Sequence, residues 1–404
     1  MAEYKKFDNK KIMIWGYGRE GKSTEEFIRR SCKPASVKIF EGKREEFDLS
    51  EYDYVVKSPG IRLEGESDLS KFTSQTRIFL ETYRDQTVGI TGTKGKSTTS
   101  AMLNKVLSDC TDRNVILMGN IGLPALDYCD SVTDDTIIVY EMSCHQALST
   151  NVSPHVSVFL NLFEEHLDYY GTLDKYFEAK SHIALYQKAG DYYLQGDNVP
   201  VIETPATRVV IDSHKDYDHE LSIEGIHNRF NAEFVYRIAT EIYGCDADKV
   251  KRSMKEFTGL QHRLQLVTEK NGVRFYDDSI STIPEAAISA AGSIKDTRTL
   301  LIGGMDRGID YSKLSAFVRE HDEYIYIFMY ASGLRIYSEP EIESLEYTYY
   351  CEDLKQAVDM AIAKTEKGAI VLSPAAASYG YFKNFEERGD VFRELVKTLL
   401  FTCG

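Results

Sequence analysis

What is scarce in this chain narrows its possibilities first. No two of its seven cysteines (Cys32, Cys110, Cys129, Cys144, Cys245, Cys351, Cys403) form a CxxC pair, and their number is odd. That pattern argues against a disulfide framework and suits a reducing, cytoplasmic setting. No apolar run approaches the roughly 20 residues of a membrane-spanning helix, so membrane insertion is not expected. The opening MAEYKKFDNKK leads into a short strand without the apolar region of a secretory leader. Positive charge is also short: 48 lysines and arginines face 63 aspartates and glutamates, a net charge of −15. Nucleic-acid binding, which draws on a basic surface, is therefore not expected. An anionic ligand has to be held by local cations and helix N-termini. No internal repeat or low-complexity tract is visible.

What is present is an α/β pattern. At 404 residues the chain exceeds one ordinary core, so two or three domains are expected. Apolar strands alternate with helical segments almost throughout. Strands are expected at Ile12–Trp15, Val37–Phe40, Tyr54–Lys57, Thr87–Thr91, Val115–Met118, Ile137–Glu141 and Val156–Asn161. Others are expected near Val273–Asp277, Leu300–Gly303, Ile325–Met329 and Ile370–Ser373. Helices are expected up to about Arg30, over Ser97–Ser108, Tyr176–Gln187 and Asn228–Tyr243. Boundaries near 84 and 258 give segments 1–84, 85–258 and 259–404.

Gly89–Thr99 reads GITGTKGKSTT directly after an apolar, β-prone run. Such a turn gathers backbone N–H groups around phosphate oxygens, with Lys96 as a point charge and Ser97 as a magnesium ligand. Ile90 stands where the general phosphate-loop pattern has its first glycine. The pattern points to ATP or GTP; a Gly/Thr/Lys-rich surface turn is the plainer alternative.

A second glycine turn, Gly16-x-Gly18-x-x-Gly21, lies between a strand and a helix, with Glu41 at the end of the next strand. It fits a pyrophosphate ligand, NAD included, or a purely structural turn. The Ser58-Pro59-Gly60-Ile61 turn lies at the end of a later strand, where ligands of open α/β sheets collect. Glu141 and His166 lie at or after successive strand ends beside the phosphate loop and, with Ser97, are candidates to hold magnesium. Lys180, on a helix downstream, reads by default as a solvated surface charge.

Together these residues resemble the Mur ligases, ATP-dependent enzymes that add amino acids to peptidoglycan precursors. The family's TGTxGKST loop is matched by Thr91–Thr98, and its ELSSxQ by EMSCHQ (Glu141–Gln146). Further matches are GNIGLPAL (Gly119–Leu126), NLFEEHLD (Asn161–Asp168), GIHNRFN (Gly225–Asn231), HRLQ (His262–Gln265), DDSIST (Asp277–Thr282) and SPAAASYGYFKNFEERG (Ser373–Gly389). They span nearly the whole chain in the family's order.

The resemblance implies three domains: a Rossmann-like one over 1–84 for the UDP substrate, a P-loop-type ATPase over 85–258, and a Rossmann-like glutamate-binding one over 259–404. It implies addition of glutamate to UDP-N-acetylmuramoyl-L-alanine through an acyl phosphate, with ATP and two magnesium ions, by a monomer. Lys96, His166 and Lys180 are the implied catalytic residues. ATP would contact Gly92, Thr93, Lys94, Gly95, Lys96, Ser97, Thr98, Asn228, Asn231, Arg263 and Asp278. The metal ions would take Ser97, Glu141, His166 and Lys180, the last as a carbamate. The UDP substrate would contact Gly16, Tyr17, Gly18, Arg19, Ser58, Pro59, Gly60 and Asn120. Glutamate would contact Thr282, Arg307, Ser378 and Phe385.

Three positions depart from the D-glutamate-adding pattern. Ile280 replaces a lysine, Arg307 stands for another, and Tyr379-Gly380-Tyr381 replaces leucine-aspartate-glutamine. All fall where the incoming amino acid is expected, and the whole pattern is also similar to a branch that adds L-glutamate. D-glutamate is the family default and L-glutamate the alternative. A folylpolyglutamate-synthase-like ligase, a nicotinamide-dependent dehydrogenase and a non-catalytic nucleotide-binding module are the competing classes. Phosphate release that requires both the UDP substrate and glutamate separates the ligase from them.

Overall fold

A computed structural model describes residues 3–63, 69–121, 123–223 and 225–401. Gly122 of the GNIGLPAL motif and Cys403 lie outside the described residues. The chain divides into two compact units, Met1–Phe257 and Thr258–Gly404.

The first unit contains two parallel sheets. One is built from β1 (Lys11–Trp15), β2 (Ser36–Phe40), β3 (Tyr54–Lys57) and β4 (Phe72–Thr73) in the order β2-β1-β3-β4. The other contains β5 (Thr87–Thr91), β6 (Val115–Gly119), β7 (Ile137–Glu141), β8 (Val156–Phe159), β9 (Tyr192–Gly196) and β10 (Thr207–Ile211). Its order is β10-β9-β8-β5-β7-β6, every pair parallel. β5 and β7 are buried at every residue, which is why they read as unbroken apolar runs and not as alternating ones. The helices that concern the site are α1 (Arg19–Ser31), α2 (Gln75–Tyr83), α3 (Lys96–Cys110), α4 (Cys144–Leu148), α5 (Leu167–Tyr170), α6 (Leu173–Leu185) and α7 (Ile226–Arg237). A single buried cluster that includes Ile12, Val56, Phe79, Tyr140 and Phe159 joins the two sheets into one unit.

The second unit holds β11 (Gln265–Lys270), β12 (Val273–Asp277), β13 (Thr297–Ile302), β14 (Ile325–Met329), β15 (Thr348–Cys351) and β16 (Gly368–Leu372). They run β11-β12-β16-β13-β14-β15, all parallel except the β11–β12 pair.

In each sheet the chain steps first to one side of a strand and later to its other side. Such reversals open a crevice at the carboxyl ends of the strands, where α/β proteins bind ligands. Here they place the loops after β1 and β3, after β5, β7 and β8, and after β13 and β16 at such mouths.

Several element ends differ from expectation. The helix expected at Tyr176 starts at Leu173, where the Thr172 side chain caps it by accepting from the Lys175 N–H at 3.3 Å. The helix expected to run to Tyr243 changes at Ile238 into a π-helical turn ending at Ile242. Five strands were not expected: β4, β9, β10, β11 and β15. Among the described residues no helix is long and apolar enough to cross a membrane.

Candidate active site

The phosphate loop is held in shape before any ligand enters. β5 delivers the chain to Gly92, and α3 begins at Lys96 with Gly95 as its N-cap. Gly95 has φ +83°, and a Cβ there would lie 2.7 Å from Asn231 Oδ1, so any other residue would be strained at this position. Asn161, just after β8, straps the loop: its carbonyl accepts from Thr93 N at 2.9 Å, and its Oδ1 accepts from Lys94 N at 2.9 Å. Lys96 Nζ folds back onto the Gly92 and Thr93 carbonyls, at 2.9 and 3.0 Å. Burial pushes its ammonium down, while Glu141 and Glu165 pull the other way. Ser97 is buried in the first turn of α3, with Thr98 half-buried beside it. The Lys94 side chain is exposed and pairs with Glu165 at 2.7 Å.

Glu141 ends β7 directly beside β5, in register with Ile90. It is fully buried. Its Oε1 accepts from Asn120 Nδ2 at 2.7 Å, and its Oε2 has no hydrogen-bond partner. A buried carboxylate oxygen left open in this way is costly unless a ligand completes it. A hard cation held in part by a nucleotide's oxygens fits that opening, with the Ser97 hydroxyl available at the loop. Among the described residues no group of three His, Cys, Asp or Glu side chains is arranged to hold a metal without such help.

The reading of Lys180 as a solvated surface charge is overturned. It projects from α6 into the interior, 1% exposed, and donates to Gly92 O at 2.8 Å and Thr91 Oγ1 at 3.4 Å. Burial, and then the neighbouring Lys96 charge, bring its ammonium down to about 7. His166 caps α5 in the left-handed region (φ 56°), a backbone conformation that non-glycine residues keep chiefly where the surroundings enforce it. Its ring lies 5.7 Å from that of His145 and 6.0 Å from that of Tyr176.

Lys96, Asn120, His166 and Lys180 line one cavity of about 490 Å³, together with Pro59 and Gly60 from the β3 turn. Gly18, Arg19, Ser58, Pro59 and Asn120 line a second of about 320 Å³. The glycine turn is closed by Ser58, whose Oγ donates to Gly16 O at 3.0 Å; a Cβ on Gly16 would meet that Oγ at 2.6 Å. Tyr17 instead turns back along α1 to donate to Glu25 and is not among the residues lining either cavity. Glu41 is exposed and lines neither. Asn231 backs the phosphate loop at Gly95, and Asn228 lies in the first turn of α7. Glu20 and Gln146, absent from the residues the sequence singled out, line both cavities. Their signal was present in the GxGxxG and EMSCHQ motifs, but neither motif says that they meet.

The second unit has its own mouth. Asp278 is buried after β12, where its Oδ2 accepts from Ser281 Oγ at 2.5 Å and Ser373 Oγ at 2.8 Å. Burial pushes its carboxyl up to about 6. Arg388 is fully buried and donates to Ser279 Oγ, Ser279 O and Ala376 O at 3.0, 2.7 and 2.9 Å. It thereby ties the DSIST loop to the SPAAAS loop. Met305 pairs with Ala377 by an N–H···O bond of 2.8 Å, bringing the loop that carries Arg307 beside the loop that carries Ser378. Ser378 is buried, Thr282 and Phe385 are half-buried, and Arg263 and Arg307 are exposed.

Comparison with known proteins finds similar sequences and similar folds. A family model described as the Mur ligase middle domain matches residues 90–199, from β5 through β9. The UDP-N-acetylmuramoylalanine--D-glutamate ligase of Ruminiclostridium cellulolyticum is 29% identical over 425 residues, covering 94% of this chain and 90% of that protein. The enzyme of the same name from Lactobacillus gasseri is 29% identical over 459 residues, covering 99% of both. In fold the chain is similar to the UDP-N-acetylmuramate-alanine ligase MurC of Thermotoga maritima, with TM-score 0.57, 18% identity, and 96% and 100% of the two chains covered. It is also similar to MurF ligase from Thermotoga maritima in complex with ADP, with TM-score 0.52, 18% identity, and 90% and 95% covered. The phosphate loop and the buried Glu141 both fall in the segment 90–199 that matches the Mur ligase middle domain, and along nearly its whole length the chain is similar to UDP-N-acetylmuramoylalanine--D-glutamate ligases.

Proposed function

We propose that this protein joins D-glutamate to UDP-N-acetylmuramoyl-L-alanine at the expense of ATP, in peptidoglycan precursor synthesis. The observation that carries the reading is the cavity where Lys96, Asn120, His166 and Lys180 meet Pro59 and Gly60. It sets phosphate-binding groups against the Ser58–Ile61 turn, which is hydrogen-bonded through Ser58 to the glycine turn suited to the diphosphate of a sugar nucleotide. The relatives compared are named for D-glutamate, and none of them for L-glutamate, so the L-glutamate alternative drawn from Ile280, Arg307 and Tyr379–Tyr381 gains no support.

In this reading segment 1–84 holds the UDP part, with Gly16, Tyr17 (through its backbone), Gly18, Arg19, Ser58, Pro59 and Gly60 as contacts, and Asn120 of the next segment contacts the same substrate. Segment 85–258 holds ATP, with Asn228 and Asn231 beside the loop. Segment 259–404 supplies Arg263 and Asp278 to the nucleotide and Thr282, Arg307, Ser378 and Phe385 to glutamate. The enzyme acts as a cytoplasmic monomer.

A carboxylate does not condense with an amine at neutral pH at a useful rate. The alanine carboxylate therefore takes the γ-phosphoryl group from ATP, and ADP leaves. The glutamate amine then attacks the acyl carbon, loses its proton, and phosphate departs from the tetrahedral intermediate. Lys96 and the loop N–H groups stabilise the charge that develops on the transferring phosphoryl oxygens. Ser97, Glu141, His166 and a carbamylated Lys180 are the residues that would hold magnesium. Magnesium held by them would supply neutralisation of phosphate charge. With its ammonium brought down to about 7, Lys180 has a substantial neutral fraction, the form that adds carbon dioxide and releases a proton to become a carbamate. Its hydrogen bond to Gly92 O keeps that group against the loop.

The test is phosphate release with ATP, magnesium and UDP-N-acetylmuramoyl-L-alanine, with D-glutamate, L-glutamate or neither. We expect release and a product of the added mass with D-glutamate, and none with Lys96→Ala. Release without glutamate would overturn the ligase reading, and release with L-glutamate alone would overturn the stereochemical one.

A further inference from the structure

We propose that Glu20 recognises the middle of the sugar-nucleotide substrate, accepting a hydrogen bond from a neutral N–H or O–H group between the diphosphate and the reacting carboxylate. This rests on the functional reading above and adds to it a residue that positions substrate.

The two cavities share Glu20, Pro59, Asn120 and Gln146. A ligand that reaches from the glycine turn to the phosphate loop must pass these four. Its ends are anionic, a diphosphate at one and a carboxylate at the other. Its centre, a sugar bearing amides, is neutral and rich in hydrogen-bond donors. A carboxylate at the narrow middle repels either end and suits only the centre.

Glu20 is held ready for that contact. It lies in the first turn of α1, and its own carbonyl accepts from Thr24 Oγ1 at 2.7 Å and from Gln75 Nε2 at 3.1 Å, which pins the backbone. Its Oε1 accepts from Gln146 Nε2 at 2.8 Å across 126 residues of sequence. Its Oε2 is buried and has no hydrogen-bond partner. The buried Lys57, whose charge favours the Glu20 carboxylate, is committed elsewhere: its Nζ donates to Ile61 O at 3.1 Å and Ser149 Oγ at 2.9 Å. Burial raises the Glu20 carboxyl from its ordinary value, a desolvation cost that a ligand donor would offset. The glycine turn alone would favour any anion at the helix N-terminus; Glu20 makes the adjoining space select against one.

Calorimetric binding of UDP and of UDP-N-acetylmuramoyl-L-alanine, without ATP, tests the assignment. In Glu20→Ala the affinity for the full substrate should fall about tenfold, the scale of one hydrogen bond to a charged group. The affinity for UDP should stay as in the parent. Glu20→Gln, which keeps the shape but offers an amide, should show the same split. In turnover, KM for the sugar nucleotide should rise by the same factor while KM for ATP is unchanged. An equal loss for UDP would overturn the proposal, because Glu20 would then only shape the turn. Unchanged affinity for both ligands would overturn it too, because solvent would then suffice for Oε2. A parent protein that binds UDP but gains nothing from the rest of the substrate would instead overturn the functional reading on which this rests.

Discussion

The mouth of the middle sheet and the mouth of the third sheet are built on opposite plans. Around the phosphate loop, polar groups are buried but left incomplete. Glu141 Oε2 has no partner, Lys96 rests on its own loop carbonyls, and Lys180 is buried beside another cation. In the second unit the buried groups satisfy one another: Asp278 with two serines, His262 with Asp277 at 2.7 Å, and Arg388 with three acceptors. A site that receives a highly charged ligand gains from groups the ligand completes. If the second unit binds glutamate, as proposed, a scaffold already complete serves it, because its loops are then fixed before binding.

The largest effect should come from removing the incomplete carboxylate. In Glu141→Gln we expect kcat to fall by at least about a hundredfold and the magnesium requirement to rise. Stability should change little, because the amide can still accept from Asn120. A parent-like magnesium titration would break the contrast between the two mouths. On the other side, Arg388→Met should lower unfolding free energy by about 4 kcal/mol, because three buried acceptors lose their donors together. Urea unfolding measures this, and a loss under about 1 kcal/mol would show that the network is not what holds the loops.

Asp278 sharpens the comparison through pH. Its carboxyl is raised from 3.8 to about 6 in the folded chain, so the fold keeps a proton that the unfolded chain has lost. The contribution is full below about pH 4 and is lost as pH rises through about 6. Asp278→Asn removes the titration, so its stability relative to the parent should improve by up to about 3 kcal/mol between pH 4 and pH 7. A pH-independent difference between the two would contradict the assignment. The smallest effect belongs to Gly95→Ala. The left-handed backbone and the clash with Asn231 should cost about 1–2 kcal/mol and weaken ADP binding, with no effect on UDP binding.

Local sequence was a good guide where one strand or one turn carries the whole signal. Tyr54–Lys57, Thr87–Thr91, Ile137–Glu141 and Ile325–Met329 are strands at the expected residues, because runs buried on both faces are predominantly apolar; Val273–Asp277 is also a strand where expected, though only Phe275 and Asp277 are buried. Three of the strands it missed lack that signal, whereas Tyr192–Gly196 was missed although four of its five residues are buried. Phe72–Thr73 is two residues long, and Thr207–Ile211 is an edge strand with one buried residue. Gln265–Lys270 has none that is fully buried.

The same division runs through the site. The sequence alone determined the phosphate loop with Lys96 and Ser97, since a turn and the helix after it need only neighbouring residues. Only the tertiary structure decided that Lys180 is buried against Gly92, that Asn120 leaves one oxygen of Glu141 open, and that Glu20 meets Gln146 between two cavities. Those contacts join residues 21 to 126 positions apart, and their energies depend on burial and on partners that no local pattern encodes.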